Sequence, residues 1–416
     1  MPNNSVAPVA YRARWIFPID GPPIPRGVVS IARGRIVAVG SRPDEANLID
    51  LGNVALLPAL INAHTHLEFS LFQQPIGQPG QSFAAWLKQV VAWRREQPAV
   101  QGQEQLALAQ GLQECDEAGT AVAGEITTPM FAEVWYRQGA LLPHVRFLEL
   151  LSLNPERVPA LTAVAEGFLN QKSASQRGLS PHAPYTVHPE LLARAVRLSA
   201  EHRVPLTMHL AESREELALL SSHSGELVEL LKMLTAWYPS ALPTGLRPLD
   251  YLRTLSLSHH AIVAHGNYLS AEEIEFTAQQ REKLSVAYCP RTQAYFDHDP
   301  YPLAAMLRAG VRVAVGTDSR ASNPDLSIWR ELQFVRQRYP QIDPTDVLRM
   351  GTIAGAEALG VAQDYGSISP GKIAEFAVIE LPAESNSPWE SLFANNQASA
   401  KLLRGAPTAT SSSPDS

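Results

Sequence analysis

Apolar and polar residues alternate in blocks along this chain. Short runs rich in β-branched and aliphatic residues recur, bounded by turn-forming residues, and longer stretches of helical periodicity separate them. The central series opens with Val54-Ala55-Leu56-Leu57-Pro58-Ala59-Leu60-Ile61, which reads as one buried strand leading into Asn62-Ala63-His64-Thr65-His66. Further strand candidates are Thr120 to Ile126, Val145 to Leu151, Arg177 to Pro181, Pro205 to Leu210, Ala261 to His265, Leu284 to Tyr288 and Val311 to Gly316, which makes eight with the first. Strands alternating with helices predict a parallel sheet, and eight repeats fit a closed (β/α)8 barrel of the TIM type, an α/β fold.

The helix starts carry their own punctuation. Ser213-Arg214-Glu215-Glu216 and Ser270-Ala271-Glu272-Glu273 have the form of capping boxes. Asn323-Pro324 and Asp343-Pro344 set a capping side chain before a proline suited to the first helical position. Residues 217 to 258 exceed a plain strand–helix spacing and predict extra helix over the barrel mouth, with Leu227, Leu230 and Leu231 packing inward. Both chain ends are β-rich: Ala10 to Ile16, Gly27 to Ile31 and Arg35 to Val39 early, Glu375 to Glu380 late. Residues 405–416, dominated by Ser, Thr, Pro and Ala, read as a disordered tail.

Composition narrows the class. A chain of 416 residues with 45% hydrophobic residues can build one large domain and a smaller companion. The net charge of −7 is spread out, so neither a nucleic-acid surface nor a charged binding tail is expected. The two cysteines, Cys115 and Cys289, cannot make a disulfide framework and fit a reducing compartment. With no signal core and no run of membrane-spanning length, a cytoplasmic protein acting on a small molecule is expected. Self-association stays open.

Candidate chemistry gathers where the strands end. Alternate residues of a strand share a face, so His64 and His66 would point the same way and grip one divalent cation. The other reading of so short a motif is an inert, hydrogen-bonded pair. In a closed barrel, strand eight lies beside strand one and brings Asp318 to that pair, while His209 at the end of strand five faces them. Standing alone, Asp318 reads better as a helix cap or turn residue. Phe69, Phe83 and Trp86 either wall a pocket for a flat ring or join the core.

The stretch Leu56-Leu57-Pro58-Ala59-Leu60-Ile61-Asn62-Ala63-His64-Thr65-His66-Leu67-Glu68-Phe69-Ser70 resembles the first barrel strand of the amidohydrolase superfamily. The nearest branch is that of cytosine deaminase, S-adenosylhomocysteine deaminase and the chlorohydrolases. The likeness continues in family order through "SPHAPYTVHPELL", "MHLAESREE", "VAHGNYLS", "VAYCP", "VGTDSRASNPDL" and "GSISPGKIAEFAVIE", roughly residues 10 to 381.

The resemblance implies a β-sandwich built from both chain ends, residues 1–57 and 366–404, beside a barrel of residues 58–365. It implies a metal site of His64, His66, His209 and Asp318 holding Zn²⁺, with Fe²⁺ as the alternative, and one position left for water. Binuclear relatives carry a lysine at the end of strand four. Here that strand ends Leu179-Ser180-Pro181-His182, and the nearest lysine is Lys172, so one metal is expected. Glu212 matches the general acid/base of the deaminases, and His265 a group that stabilises charge as water adds. His182 matches a substrate contact.

Two departures stand out. Gln293 follows Cys289-Pro290 where relatives carry Ser-Asn, and Arg320 places a cation next to Asp318-Ser319, to meet either an acidic substrate or a structural carboxylate. Trp86, Gln293 and Arg320 therefore join His182 as candidate substrate contacts. The implied activity is hydrolytic deamination of an aminated nitrogen heterocycle, with expulsion of chloride or cleavage of an amide or imide bond as the alternative. A scaffold that has lost catalysis is less consistent with so complete a residue set.

Overall fold

A computed structural model describes residues 9–40, 47–96, 103–128, 143–171, 176–383, 387–394 and 398–405. Its centre is an eight-stranded sheet whose strands pair in sequence order. They are Leu60–Thr65, Thr120–Thr127, His144–Leu150, Gln176–Pro181, Pro205–Leu210, His260–His265, Leu284–Tyr288 and Val313–Val315. Each neighbouring pair is parallel. Helices cover the outside, and nearly every strand residue is buried, as a parallel sheet shielded on both faces requires.

The barrel closes where strand eight meets strand one. Thr65 and Asp318 form a parallel bridge. Asp318 donates its N–H to the His64 carbonyl at 3.1 Å, and the Thr65 hydroxyl donates to the Asp318 carbonyl at 2.8 Å. Gly316 makes this seam possible. A Cβ there would lie 2.7 Å from the His64 carbonyl oxygen, so the two backbones touch only because the side chain is absent.

The apolar run at the start of the series divides. Val54–Pro58 belongs to a different sheet from Leu60–Thr65, with Ala59 as the pivot. Ala59 donates to Glu375 of the late strand, and the next residue, Leu60, donates to Gly119 just before barrel strand two. A continuous stretch of apolar residues carries no mark of where one sheet hands over to another, so the single expected strand is two.

Both chain ends do fold together. Val54–Pro58 pairs antiparallel with Glu375–Glu380, which pairs antiparallel with Ala400–Arg404. Trp15–Ile16 and Ile24–Pro25 complete this five-stranded sheet. A four-stranded sheet of Val9–Arg12, Val28–Ala32, Arg35–Gly40 and Leu48–Asp50 packs on it through Tyr11, Val29, Ile31, Ile36, Leu56 and Phe376. Residues 406–416 of the expected tail, and Lys172, lie outside the described residues.

The helix signals divide too. Ser270 and Glu273 form the reciprocal box, and Asp343 caps Pro344–Met350. Ser213 caps Arg214–Ser222, but the Glu216 carboxylate reaches past the cap to residues 211 and 212. Asn323-Pro324 starts no helix. Ser327 caps Ile328–Arg338 instead, and the Asn323 side chain donates to the Thr317 carbonyl and to Glu331. The long insert after strand five holds Glu226–Met233 and Pro248–Leu255, with Leu227, Leu230 and Leu231 buried. Among the described residues no helix is long and apolar enough to cross a membrane.

Candidate metal centre and active-site cleft

His64, His66, His209, His265 and Asp318 come together at the C-terminal rim of the barrel. Donor atoms of His64, His66 and Asp318 lie within 4.8 Å of one another, as do those of His64, His209 and His265. Asp318 Oδ1 is 3.8 Å from His64 Nε2 and 3.6 Å from His66 Nε2. His66 Nε2 faces His209 Nε2 at 3.2 Å. His66 itself lies just past strand one, at the start of the short turn Leu67–Phe69. The alternation of the strand thus carries one residue beyond its end at Thr65, where the His66 N–H still reaches the Asp318 carbonyl at 3.4 Å.

The residues fit a divalent ion. Among the described residues, neither ring nitrogen of His64 has a hydrogen-bond partner, nor does Nε2 of His265, although both side chains are buried. Buried polar atoms left this way are destabilising unless a ligand takes them up. Burial, reinforced by the neighbouring imidazoles, drives His64 and His66 well below the usual histidine pKa, and brings His209 down to about 3. The imidazoles are therefore neutral at physiological pH, the form that binds metal. Burial pushes Asp318 up to about 7, against hydrogen bonds from Ser322 and Thr292. A cation in the middle would reverse that rise.

Strands five, six and eight run into left-handed backbone at non-glycine residues. Ala211 has φ 54°, His265 φ 69° and Asp318 φ 56°. Such residues are strained and persist where surrounding contacts hold them. Strand five reaches Leu210, so an extended continuation would turn Glu212 away from His209. The turn at Ala211 brings Glu212 into the cleft, where its Oε1 lies 3.5 Å from His265 Nε2. Burial first, then the Asp318, Glu216 and Glu215 carboxylates, raise the Glu212 pKa well above the ordinary value. The rise favours its acid form, as a group that gives and takes a proton needs.

Above these residues lies a cleft of about 490 Å³, solvent at its mouth included. One wall is the helix Phe83–Glu96, which presents Phe83, Trp86, Leu87, Val90 and Arg94 along one face. Phe69, Phe83 and Trp86 all line the cleft and all belong to the main core, so the two readings of these aromatics hold together. The Trp86 N–H is committed to the Ala321 carbonyl at 3.0 Å, which leaves its ring for contact. His182 also lines the cleft. Its Nδ1 pairs with the Thr186 hydroxyl at 2.7 Å, and its Nε2 is 4.0 Å from Glu149.

Gln293 and Arg320 do not line it. Gln293 donates to the carbonyls of His298 and Asp299 and ties the loop after strand seven to itself. Arg320 donates to the Phe72 carbonyl and pairs with Glu114 at 2.7 Å, so its charge is met by a structural carboxylate. Sequence reasoning passed over Glu149, Arg94 and Tyr185, which do line the cleft. Glu149 left a signal: a carboxylate near the C-terminal end of a barrel strand, where such sites gather. Arg94 continues the helical spacing of Phe83, Trp86 and Val90.

The amidohydrolase family model matches residues 55–405. This chain belongs to the amidohydrolase family. It is 29% identical over 410 residues to a 5-methylthioadenosine/S-adenosylhomocysteine deaminase of Moorella thermoacetica, covering 91% of this chain and 87% of that one. It is 28% identical over 364 residues to an aminodeoxyfutalosine deaminase of Deinococcus radiodurans, covering 82% and 83%. The crystal structure of Helicobacter pylori aminofutalosine deaminase with methylthio-coformycin superposes with a TM-score of 0.82 over 96% of this chain and 99% of that one. At 23% identity this last likeness is one of fold.

Proposed function

We propose that this amidohydrolase is a hydrolytic deaminase of an aminated purine carried by a nucleoside-like substrate, with a 5′-substituted adenine nucleoside as the leading class. One observation carries the reading: a buried glutamate and a buried histidine, Glu212 and His265, face each other 3.5 Å apart beside a cluster of metal-ready imidazoles. The names of the deaminases to which the chain is similar support the substrate class.

In this reading His64, His66, His209 and Asp318 hold one divalent ion, zinc first and iron(II) second for a set of three imidazoles and a carboxylate. When bound, such an ion supplies Lewis acidity that brings hydroxide within reach of neutral pH. The protein's own groups do the rest. The aromatic wall of Phe69, Phe83 and Trp86 holds the flat heterocycle, and His182 contacts its edge. Glu212 takes the proton of the attacking water and gives it to the ring nitrogen as the amino-bearing carbon becomes tetrahedral. His265 steadies the charge that develops on the added oxygen. Glu212 then takes the proton of the added hydroxyl and passes it to the amine, the carbon–nitrogen bond breaks, and ammonia leaves an oxo product.

The test is ammonia release from a panel of aminated purine nucleosides, pyrimidines and triazines, with mass spectrometry of the product. Release from the adenine nucleosides supports the reading. Chloride or a cleaved amide as the sole product points to the other chemistry of the same site.

A further inference from the structure

Three glutamates follow strand five, at 212, 215 and 216, and of these Glu212 lines the cleft. Glu216 is fully buried and points back at the strand end. Its Oε1 accepts the N–H of Ala211 and its Oε2 accepts the N–H of Glu212, each at 2.8 Å. From the opposite side Asn267, in the loop after strand six, donates its side-chain amide to the Glu212 carbonyl at 2.8 Å. Both peptide groups that flank the Glu212 α-carbon are thus held. The Ser213 hydroxyl accepts the Glu216 N–H at 3.2 Å and closes the arrangement.

This backbone would not hold its shape unaided. Ala211 lies in the left-handed region at φ 54°, a conformation a non-glycine residue keeps only where its surroundings impose it. Two adjacent N–H groups in a dry interior also demand acceptors. A carboxylate with two free oxygens meets both demands at once. An ordinary cap satisfies donors inside the helix it starts, whereas this carboxylate reaches out of its helix to the residues that precede the cap.

We infer that Glu216 is a positioning residue for Glu212: its carboxylate holds the N–H groups of residues 211 and 212 in the turn that directs the Glu212 side chain into the cleft. The inference rests on the proposed role of Glu212 as the proton carrier.

The test uses the metal-replete full chain and Glu216→Gln. Glutamine keeps one acceptor oxygen and sets an amide N–H₂ against a backbone N–H. The expected result is a fall in kcat of about 10- to 100-fold, the scale on which small misplacements of a reacting group act. KM should stay within about twofold and metal content should not change. In a Glu212→Gln background the same change should have no further effect on the residual rate, because a positioning residue has nothing left to position. Glu216→Asp, which keeps both oxygens one methylene further back, carries the same comparison should the glutamine variant not fold. Full kcat in a folded, metal-replete variant overturns the inference, as does a loss that persists undiminished in the Glu212→Gln background. Wild type that releases no ammonia from any adenine nucleoside overturns the deaminase reading, and this inference with it.

Discussion

The backbone carbonyl of His182 accepts from His209 twice, from the backbone N–H and from ring Nδ1, each at 2.9 Å. The ring contact commits Nδ1 of His209 as the proton-bearing nitrogen and turns Nε2 toward His66 Nε2, 3.2 Å away. The group that orients this candidate ligand is therefore main chain, whatever side chain residue 182 carries. His182→Ala should keep full metal content while kcat/KM for the substrate falls about tenfold or more, since the imidazole lines the cleft. Metal analysis beside steady-state kinetics checks both halves.

Glu212→Gln should preserve fold and metal content and lower kcat by about 10²- to 10⁴-fold, the range of general acid–base catalysis. Circular dichroism and metal stoichiometry run with the kinetics separate this from misfolding.

The barrel seam gives a prediction away from the ligands. Gly316→Ala places a methyl group 2.7 Å from the His64 carbonyl oxygen. Overpacking there should destabilise the protein by about 1–3 kcal/mol and lower metal occupancy, because Asp318 and His64 are registered across that contact. Thermal melts with and without metal, and metal content after dialysis, measure this.

Arg320→Gln should lower stability through the loss of the Glu114 pair and the Phe72 carbonyl contact, and leave KM within about twofold. A large rise in KM for an anionic substrate would instead return Arg320 to the cleft.

Glu125, buried on barrel strand two, has its pKa raised by burial from 4.5 to about 8, against the pull of the Arg146 charge. The folded protein then binds more protons at this group than the unfolded chain between those values, so its contribution to stability is present at low pH and lost as pH rises toward 8. Glu125→Gln removes this contribution. The stability of this variant relative to wild type should therefore climb between about pH 5 and pH 8, read from denaturant midpoints across that range.

Much of this architecture is legible in the residues themselves. Eight short runs mark the barrel strands, and each candidate ligand lies at or just past the end of one, because a parallel barrel directs those ends to one rim. What periodicity cannot carry is the handover inside an unbroken apolar stretch, as at Ala59, or the partner of a long polar side chain. Arg320 and Glu114 are 206 residues apart, and nothing local marks them as a pair. Asn323-Pro324 has the form of a helix start, but the side chain is claimed by Glu331 and the Thr317 carbonyl. Glu212 needed more than a pattern: strand alternation turns it away, and only the left-handed turn at Ala211 returns it.

The most direct measurement is metal content and ammonia release on one sample of purified protein, titrated from the chelated to the metal-replete state with a 5′-substituted adenine nucleoside. The account predicts activity that rises in proportion to bound metal and saturates at one ion per chain. Ammonia released at full rate by the stripped protein, or no release once the site is filled, would contradict it.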